Sequence, residues 1–434
     1  MTVTNLLDSF DAGRAGAELH RFAAELFPLC RSITGDGLRE TLRLIGKQVP
    51  LQIHEVPTGT RVLDWSVPQE WNVREAWIKD STGRTLVDFR EHNLHLISYS
   101  APVRGRFSLA QLQPHLFTLP DHPDWIPYRT SYYKENWGFC VPHRLLSTLP
   151  DTEYEVCIDS DLADGQLTYA EAVLPGATTD EILISTHCCH PSLANDNLSG
   201  LTIATWLARE LNQIERRHTF RFLFLPVTIG AITWLARNED KVARIKHGLV
   251  LSCLGDRGTF TYKRSRRGHS EIDQTMEHVL RASGTPHEIQ DFHPYGYDER
   301  QFCSPGFNLP VGCFMRTPNG RFPEYHTSAD NLDFITPEAL AGSLQILLRV
   351  LQALELNRRY VNQSPKGEPQ LGRRGLYSSP DREGIALLWA LNFSDGHHSL
   401  LEIAERAKTP FSDLAAAAEK LARAGLLAPA DSIN

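Results

Sequence analysis

Residues 181–200 read EILISTHCCHPSLANDNLSG, an apolar run that passes into a polar loop and then into the start of a helical pattern. The run at 181–186 predicts a buried strand, because it is short, apolar and followed by loop residues. From 198 to 211 the apolar residues recur at helical spacing on one face. A buried strand that leads through a loop into an amphipathic helix is the repeating unit of an α/β domain.

The same alternation continues along the chain. Apolar strands are predicted at 220–227, 248–254 and 309–314, and helices at 232–242 and 272–282. Thr336 and Pro337 open a long helix, since Thr is a good N-cap and Pro is favoured at the first helical position. Strands that alternate with helices in this way predict an α/β domain with a mostly parallel central sheet.

The rest of the chain divides by its composition. Short β-like runs broken by turns predict a β-rich insertion at 56–129, so the α/β domain is discontinuous, at 1–55 and 130–360. Residues 361–380 are polar, with several Pro and Gly, and predict a linker. Three short helical patterns at 381–434 resemble a winged-helix module.

Charge argues against a nucleic-acid binder. The 434 residues carry 44 Lys and Arg against 52 Asp and Glu, a net charge of −8. From residue 366 onward, eight basic residues face nine acidic ones. Binding to DNA depends on neutralising phosphates and releasing their counterions, which this module is poorly equipped to do. We therefore predict that the winged helix contacts protein or covers a substrate and binds no nucleic acid.

Possible membrane spans, a secretory signal and the cysteines bear on the compartment of the protein. No apolar run approaches the ~20 residues that cross a bilayer, so no membrane contact is expected. The N-terminus lacks a basic region followed by an apolar one, as a secretory signal requires. Eight cysteines include no CxxC pair, which favours reduced thiols and a cytoplasmic protein. Whether the chain forms an oligomer is left open.

The 18 histidines are numerous for this length, and three of them fall in a pattern. His187 directly follows the strand at 181–186, Asp196 lies in the next loop, and His326 lies in a late loop before the long helix. Ligands gather beyond the carboxyl ends of parallel strands. Two imidazoles and a carboxylate are typical of a zinc site with one open position. His190 is a possible fourth ligand, and the alternative for Asp196 is a helix cap.

These residues also resemble a known family. The His after a central strand, the turn DNLSG at 196–200 and the motif YHTSAD at 325–330 resemble the zinc-dependent aminopeptidases of the co-catalytic type, whose relatives include glutaminyl cyclase. A further pattern, D-x-x-x-F followed by G-x-x-x-P, resembles residues 298–302 and 306–310. The resemblance covers 15–50 and 150–358, and the added β insertion and winged helix resemble a bacterial subgroup without an assigned function. It implies a phosphorylase/hydrolase-like three-layer sandwich with helices on both sheet faces.

The sequence departs from that family where acidic residues are expected. The resemblance implies two adjacent Glu after the strand at 220–226, a general base and a metal ligand, but Val227 and Thr228 stand there. The Asp implied for a second metal corresponds to Ser252 or Cys253. Two metal ions need more ligands than these residues offer. We therefore expect one zinc ion, held by His187, Asp196 and His326.

Other site residues follow from their positions. Glu324 or Glu299 is a candidate for taking the proton, and Tyr297 for stabilising an oxyanion. Candidate substrate-binding residues are Arg316, Asp298 and Arg264, of which Arg264 belongs to a basic cluster that is otherwise a solvated loop. The aromatic segment YYKENWGFC at 132–140 either lines a site or a domain seam, or is a packed connector.

Three functions are compatible with this pattern. The first is a metal-dependent, aminopeptidase-like hydrolase that cuts an amide or peptide bond in a small peptide or a modified, aminoacyl-type amino acid. The second is acyl-transfer or cyclase chemistry at the same metal, since the carboxylate base is replaced by Val227. The third is a non-catalytic binding protein that keeps the fold.

Overall fold

A computed structural model describes residues 2–376 and 381–430, so the end of the predicted linker, at 377–380, and the last four residues of the predicted module lie outside the described residues. The helices are α1 (Val3–Asp8), α2 (Ala12–Leu26), α3 (Asp36–Gly46), α4 (Leu109–Leu112), α5 (His143–Leu146), α6 (Gly200–Leu211), α7 (Ile229–Arg237), α8 (Glu271–Ser283), α9 (Glu299–Phe302), α10 (Pro337–Leu356), α11 (Arg382–Phe393), α12 (Leu400–Ala407) and α13 (Phe411–Arg423).

The strands are β1 (Gln52–Pro57), β2 (Arg61–Val62), β3 (Trp65–Ser66), β4 (Glu70–Lys79), β5 (Thr85–Asp88), β6 (Val103–Ser108), β7 (Leu116–Phe117), β8 (Phe139–Cys140), β9 (Glu153–Ala163), β10 (Gln166–Leu174), β11 (Glu181–His187), β12 (Thr219–Leu225), β13 (Ile245–Leu251), β14 (Phe260–Lys263), β15 (His287–Gln290), β16 (Val311–Met315), β17 (Arg359–Asn362), β18 (Asp395–Ser399) and β19 (Leu427–Pro429).

The central sheet has eight strands in the order β1-β10-β12-β11-β13-β16-β14-β15. Strands β12, β11, β13 and β16 run parallel at its centre, and antiparallel pairs on both sides make the whole sheet mixed. The α/β class and the parallel centre that the sequence predicts are confirmed. The parallel strands place their carboxyl ends at one edge, where the loop after His187 begins.

Helices cover both faces of this sheet, which confirms the three-layer sandwich. Ile182 and Ile184 of β11 pack into the core beneath α2, α6, α8 and α10, whereas Leu183 packs on the opposite side with Trp234 of α7 and Phe302 of α9. Because both faces are buried, the central strands are apolar throughout and lack the alternation of a half-exposed strand.

The long helix α10 belongs to this core. By length and composition Pro337–Leu356 is long and apolar enough to cross a membrane, which corrects the expectation that no run approaches that length, but 72% of an 18-residue stretch of this helix is buried inside the structure. The Thr336 hydroxyl accepts the Ala339 N–H at its start, so the predicted N-cap is confirmed. Packing against α2 and α8 accounts for its apolar character.

The insertion forms a separate antiparallel sheet in the order β5-β4-β9-β6. Its long pair joins Trp77 of β4 to Cys157 of β9. Strand β9 lies beyond residue 129, the boundary that the sequence predicts, because this strand returns to the insertion from the far side of a long connection.

The winged-helix region combines α11, α12 and α13 with the small sheet β18-β17-β19. Its first strand begins at Arg359, directly after α10, so the predicted linker at 361–380 starts inside the strand. His278 of α8 accepts the Phe411 N–H at 2.9 Å and contacts Glu405, which fastens the module to the central domain.

Candidate metal centre

The centre of the site is a buried carboxylate between imidazoles. His187 ends β11, and its Nε2 lies 2.9 Å from Asp196 Oδ1. The other oxygen, Asp196 Oδ2, lies 3.0 Å from His326 Nε2 and 3.7 Å from His190 Nε2. The ligand atoms of His187, His190 and Asp196 all lie within 4.8 Å of one another. The structure thus brings together all four residues that the sequence predicts as ligands.

Their exposure differs. The His187 and Asp196 side chains are 1% and 0% exposed, and His190 is 8% exposed, whereas the His326 side chain is 35% exposed. His326 therefore closes the cluster from the open side, while the other three side chains are held within the protein.

The loop that carries Asp196 is fixed by its polar neighbours. The Asn195 amide oxygen accepts the Gly255 N–H at 2.8 Å, and its amide nitrogen donates to Asp256 at 3.0 Å. The Ser199 hydroxyl accepts the Leu254 N–H at 2.9 Å. These buried backbone and side-chain groups would each be destabilising without a partner. Asn195 and Ser199 of the segment NDNLSG therefore hold it against the loop that follows β13.

Asp330 holds the backbone beside the metal-site carboxylate. Its Oδ1 accepts the Asn195 N–H at 2.6 Å and its Oδ2 accepts the Asp196 N–H at 2.9 Å. Burial, with the nearby charge of Asp196, raises the pKa of Asp330 to about 8 despite these donors. The sequence reasoning missed this residue, although it is the last member of the YHTSAD motif.

The electrostatics favour an ionised Asp196 beside a neutral His190 imidazole. Burial works to raise the pKa of Asp196, but His190, His187 and His326 hold it well below its usual range. Burial, together with the neighbouring imidazoles, lowers the pKa of His190 well below its usual range. Neutral imidazole and carboxylate are the protonation states that bind a metal ion.

The buried Arg31 hydrogen-bonds to the backbone of His190. It is 1% exposed, and its Nε donates to the His190 carbonyl oxygen at 2.9 Å. A guanidinium from the connection between α2 and α3 was not predicted, because no local pattern links Arg31 to a loop about 160 residues away in sequence.

A cavity of about 350 Å³ opens onto His190 and His326. Its wall is largely aromatic, and among the described residues that line it there is no Asp or Glu. Val227 and Thr228 form part of this wall, at the carboxyl end of β12. The other lining residues are Ile33, Trp65, Tyr128, Thr130, Tyr132, Tyr133, Ile229, Ile232, Tyr295, Gly296, Tyr297, Arg300, Asn319 and Tyr325.

Tyr297 reaches the site. Its ring stacks on His187 with centroids 5.3 Å apart, and its hydroxyl lies 3.0 Å from the Cys253 sulfur. Burial raises the pKa of Tyr297 well above its usual range, so the phenol stays protonated and can donate a hydrogen bond. Cys253, which stands at one of the two positions where the resemblance implies an Asp, is fully buried beside it.

The two predicted proton acceptors do not line the cavity. Glu299 is 0% exposed and forms an ion pair with Lys263, which also donates to the Tyr295 carbonyl oxygen at 3.0 Å. Glu324 is half-buried, and its carbonyl oxygen accepts the Thr327 N–H at 3.0 Å.

The three predicted substrate-binding residues also lie outside the cavity wall. Arg316, directly after β16, donates to the Ser343 hydroxyl and to the carbonyl oxygens of Gly258 and Ala339. Arg264 forms ion pairs with carboxylates of α8 and of the loop after β15. Asp298 is 1% exposed, at the start of α9, with an Oδ1 that has no hydrogen-bond partner among the described residues.

The sequence pattern did not single out Arg300 and Tyr128, which line the cavity, and it left the role of Tyr132 and Tyr133 open. Arg300 lines the cavity, and its guanidinium lies 6.0 Å from the Tyr295 ring centroid. Tyr128 contacts the rings of both His190 and His326, with centroids 5.1 Å apart in each case. Tyr132 and Tyr133 of the aromatic segment do line this cavity, which decides that open alternative.

The class of fold is that of the zinc aminopeptidases. The structure superimposes on a zinc aminopeptidase from Bacillus subtilis with a TM-score of 0.59, at 12% identity, over 80% of this chain and 95% of that one. Residues 20–357 match the family described as "Domain of unknown function (DUF4910)", and residues 358–429 match a winged helix-turn-helix family. This chain belongs to the DUF4910 family.

Two matches from Clostridium acetobutylicum are much more similar. One sequence is 49% identical over 96% of this chain and 97% of its own length, and is named as a candidate polysaccharide biosynthesis protein with an aminopeptidase-like domain. A crystal structure of a candidate peptidase is 48% identical, with a TM-score of 0.95, and covers 98% of this chain and 99% of that one.

Proposed function

We propose that this protein is a hydrolase of an amide bond that depends on one zinc ion bound at the Asp196 cluster. The spacing of the ligand atoms carries the proposal. Zinc bonds of about 2.0–2.2 Å in a tetrahedral site place neighbouring ligand atoms roughly 3.3 Å apart. His187 Nε2 lies 2.9 Å from Asp196 Oδ1, His190 Nε2 lies 3.7 Å from Asp196 Oδ2, and the ligand atoms of the three residues lie within 4.8 Å of one another, so these side chains would move closer together around a zinc ion.

The donor set supports one ion. His187, His190 and Asp196 supply three ligands, and a catalytic zinc keeps its fourth position for water or substrate. A second ion would need further carboxylates, and Val227 and Thr228 in the cavity wall offer none. In this proposal His326 contacts Asp196 Oδ2 from the cavity side and either joins the ligand set or acts beside it.

The zinc ion would lower the pKa of a coordinated water to about 7 and polarise the carbonyl group of the substrate. The chain's own residues would complete the chemistry. The protonated Tyr297 hydroxyl would donate a hydrogen bond to the developing oxyanion. His326, which is half-exposed and bound to Asp196 through Nε2, would exchange a proton at Nδ1. No carboxylate of the described cavity wall competes for that role.

Similarity supports the reaction class. The B. subtilis protein of the same fold is a zinc aminopeptidase, and the C. acetobutylicum relative is named for an aminopeptidase-like domain. We infer a small peptide or an aminoacyl-type compound as substrate. The cavity of about 350 Å³ is of the size that accommodates such small molecules.

Acyl transfer is the second candidate, because the described cavity wall lacks a carboxylate that could activate water. Product mass separates the two reactions. Hydrolysis adds one water across the cleaved bond, whereas condensation with an amine does not. Stoichiometric zinc with no turnover of either kind would instead favour a binding protein.

Zinc content and turnover test the proposal together. We expect one zinc per wild-type chain by elemental analysis, and none in His187→Ala, Asp196→Ala or His190→Ala. A control, His287→Ala, removes an exposed imidazole at the sheet edge and should keep its zinc. Zinc retained in His326→Ala would assign that residue to proton transfer. Amide hydrolysis that survives both EDTA and the His187→Ala substitution would disprove the proposal.

A further inference from the structure

A second cavity, of about 630 Å³, lies between the central domain and the winged helix. Its wall includes Lys246 and His247 of β13 on one side and Ser399 and Glu402 of the winged helix on the other. Asp180, which also lines this cavity, directly precedes β11. We call this cavity the seam cleft.

The seam cleft is remote from the candidate metal centre. Strand β11 starts beside the cleft and ends at His187, and its seven residues span roughly 20 Å at about 3.3 Å per residue. A small molecule in the cleft therefore cannot contact the metal ligands, so the cleft would be a separate site.

Positive charge is concentrated in this cleft, although the protein carries a net charge of −8. Four arginines line it: Arg217, Arg267, Arg358 and Arg359. Within the described part of the chain, no carboxylate forms an ion pair with any of them. Arg217 and Arg267 are held in place by backbone carbonyl oxygens, at 2.7 and 2.8 Å. Arg358 and Arg359 are exposed.

The acidic residues of the cleft already have partners. Glu271 accepts from the Asn357 amide at 2.7 Å, and Glu402 accepts the Ser399 N–H at 2.7 Å in a helix cap. Asp180 lies 4.0 Å from the Lys246 ammonium. The arginines are thus left to pair with a ligand.

A buried imidazole in the wall is also unpartnered. His247 is 6% exposed, and its Nδ1 has no hydrogen-bond partner among the described residues. Its neighbour His218, 5.6 Å away between ring centroids, is instead bound to Glu355. A buried polar atom without a protein partner is uncommon, and a water or another bound group beside this wall of the cleft would satisfy it.

We propose that the seam cleft binds a phosphorylated small molecule, with a diphosphate group held by Arg358 and Arg359. Guanidinium groups bind phosphate oxygens through paired, charge-assisted hydrogen bonds. The volume is sufficient for a nucleotide-sized ligand. Arg358 and Arg359 lie where α10 passes into the first strand of the winged helix, so the ligand would join the two parts of the chain.

Isothermal titration with inorganic pyrophosphate and with a nucleoside diphosphate tests this binding. The protein is treated with EDTA beforehand, so that zinc does not bind phosphate and the result is independent of the metal-centre proposal. Wild type should bind at least one probe, and Arg358→Gln and Arg359→Gln should each weaken that binding about tenfold or more, the loss expected for one charge-assisted hydrogen bond. Arg106→Gln, an exposed arginine of the insertion, is the matched control and should bind as wild type does.

The comparison of probes separates the ligand sources. Tighter binding of the nucleoside diphosphate supports a nucleotide, and equal binding supports recognition of the diphosphate alone. The proposal is overturned if neither probe binds, if Kd is the same in all variants, or if sulfate displaces pyrophosphate at equal concentration. Thermal unfolding of each variant confirms that it is folded.

Discussion

The Asp330 carboxylate accepts the backbone N–H of Asp196 at 2.9 Å, and so holds the residue at the centre of the metal cluster from the backbone side. Its other oxygen accepts the Asn195 N–H at 2.6 Å. Both contacts cross between loops that are more than 130 residues apart in the sequence. The position of the candidate metal ligand therefore depends on a carboxylate that does not itself touch the imidazoles.

We expect Asp330→Asn to weaken zinc binding without removing a ligand. One oxygen becomes an amide nitrogen, which would face a backbone N–H donor and leave it unpaired, at about 1–3 kcal/mol of unfolding free energy. Loss of a residue that orients a metal ligand typically reduces metal affinity about 10–100-fold. Chelator competition measures the affinity, and urea unfolding measures the stability.

Asp333→Asn is the control for that substitution, because Asp333 is exposed in the same loop. It should change neither zinc affinity nor stability. Wild-type zinc affinity in Asp330→Asn would show that the loop holds Asp196 without this carboxylate.

We expect that only glycine fits at position 200 in the DNLSG turn, because the backbone packs closely there. A Cβ atom at Gly200 would lie 2.5 Å from the Leu251 carbonyl oxygen, because α6 starts against the end of β13. Backbone has to shift to relieve such a contact, and overpacking of this kind costs about 1–3 kcal/mol. Gly200→Ala should therefore lower the unfolding free energy by that amount in urea denaturation.

Gly46→Ala provides the contrast, since a Cβ at the end of α3 would meet no atom within 4 Å. Alanine is the better helix former, so this variant should be as stable as wild type or slightly more so. Equal effects of the two substitutions would contradict the packing explanation.

The sequence was sufficient where local patterns decide the structure. The apolar runs of β11 and β12, the cap at Thr336 and the clustering of His187 with Asp196 all follow from spacing and from the edge of a parallel sheet. His187 and Asp196 are only nine residues apart, so one loop brings them together.

Contacts between distant segments could not be read in the same way. Strand β9 joins the insertion sheet only after residues 109–152, which follow β6, and Arg31 reaches the carbonyl oxygen of His190 across 159 residues of sequence. Such pairings depend on packing that appears only when the whole chain is folded. The position of Glu299 beside Asp298 predicts a site residue. In the structure Glu299 pairs instead with Lys263, a contact between segments that the local pattern does not reveal.

Asp298 should make stability depend on pH. Burial, with the nearby charge of Glu299, raises the pKa of Asp298 from 3.8 to about 8. Between those values the folded protein binds more protons than the unfolded chain, so this group lowers stability as pH rises from about 4 to about 8. The side chain introduced by Asp298→Asn is neutral throughout this range. The unfolding free energy of this variant, relative to that of wild type, should therefore rise with pH, by an amount on the order of a few kcal/mol at the upper end.

Urea unfolding of metal-free protein at several pH values measures this difference. Asp240→Asn, which alters an exposed carboxylate after α7, should follow the wild-type curve. A constant difference between Asp298→Asn and wild type from pH 5 to pH 9 would show that Asp298 is ionised throughout.

The winged helix should not bind DNA. Besides the excess of acidic residues from position 366 onward, three basic side chains pair with carboxylates within the module: Arg382 with Asp413, Lys420 with Glu383, and Arg423 with Glu419. Paired cations release few counterions from DNA, and this release supplies most non-specific affinity. Fluorescence anisotropy with a labelled duplex at physiological salt should therefore show binding no tighter than about 10⁻⁴ M, the weak end of the non-specific range.

A charge-reversed variant shows that the assay can detect binding. Replacing Glu383 and Glu419 with Lys frees Lys420 and Arg423 and adds two positive charges to the exposed surface of the module. This double variant should bind the duplex measurably at low salt and lose affinity as salt increases. Saturable, salt-sensitive binding by the wild-type protein below micromolar concentration would instead show that the module recognises nucleic acid despite its charge.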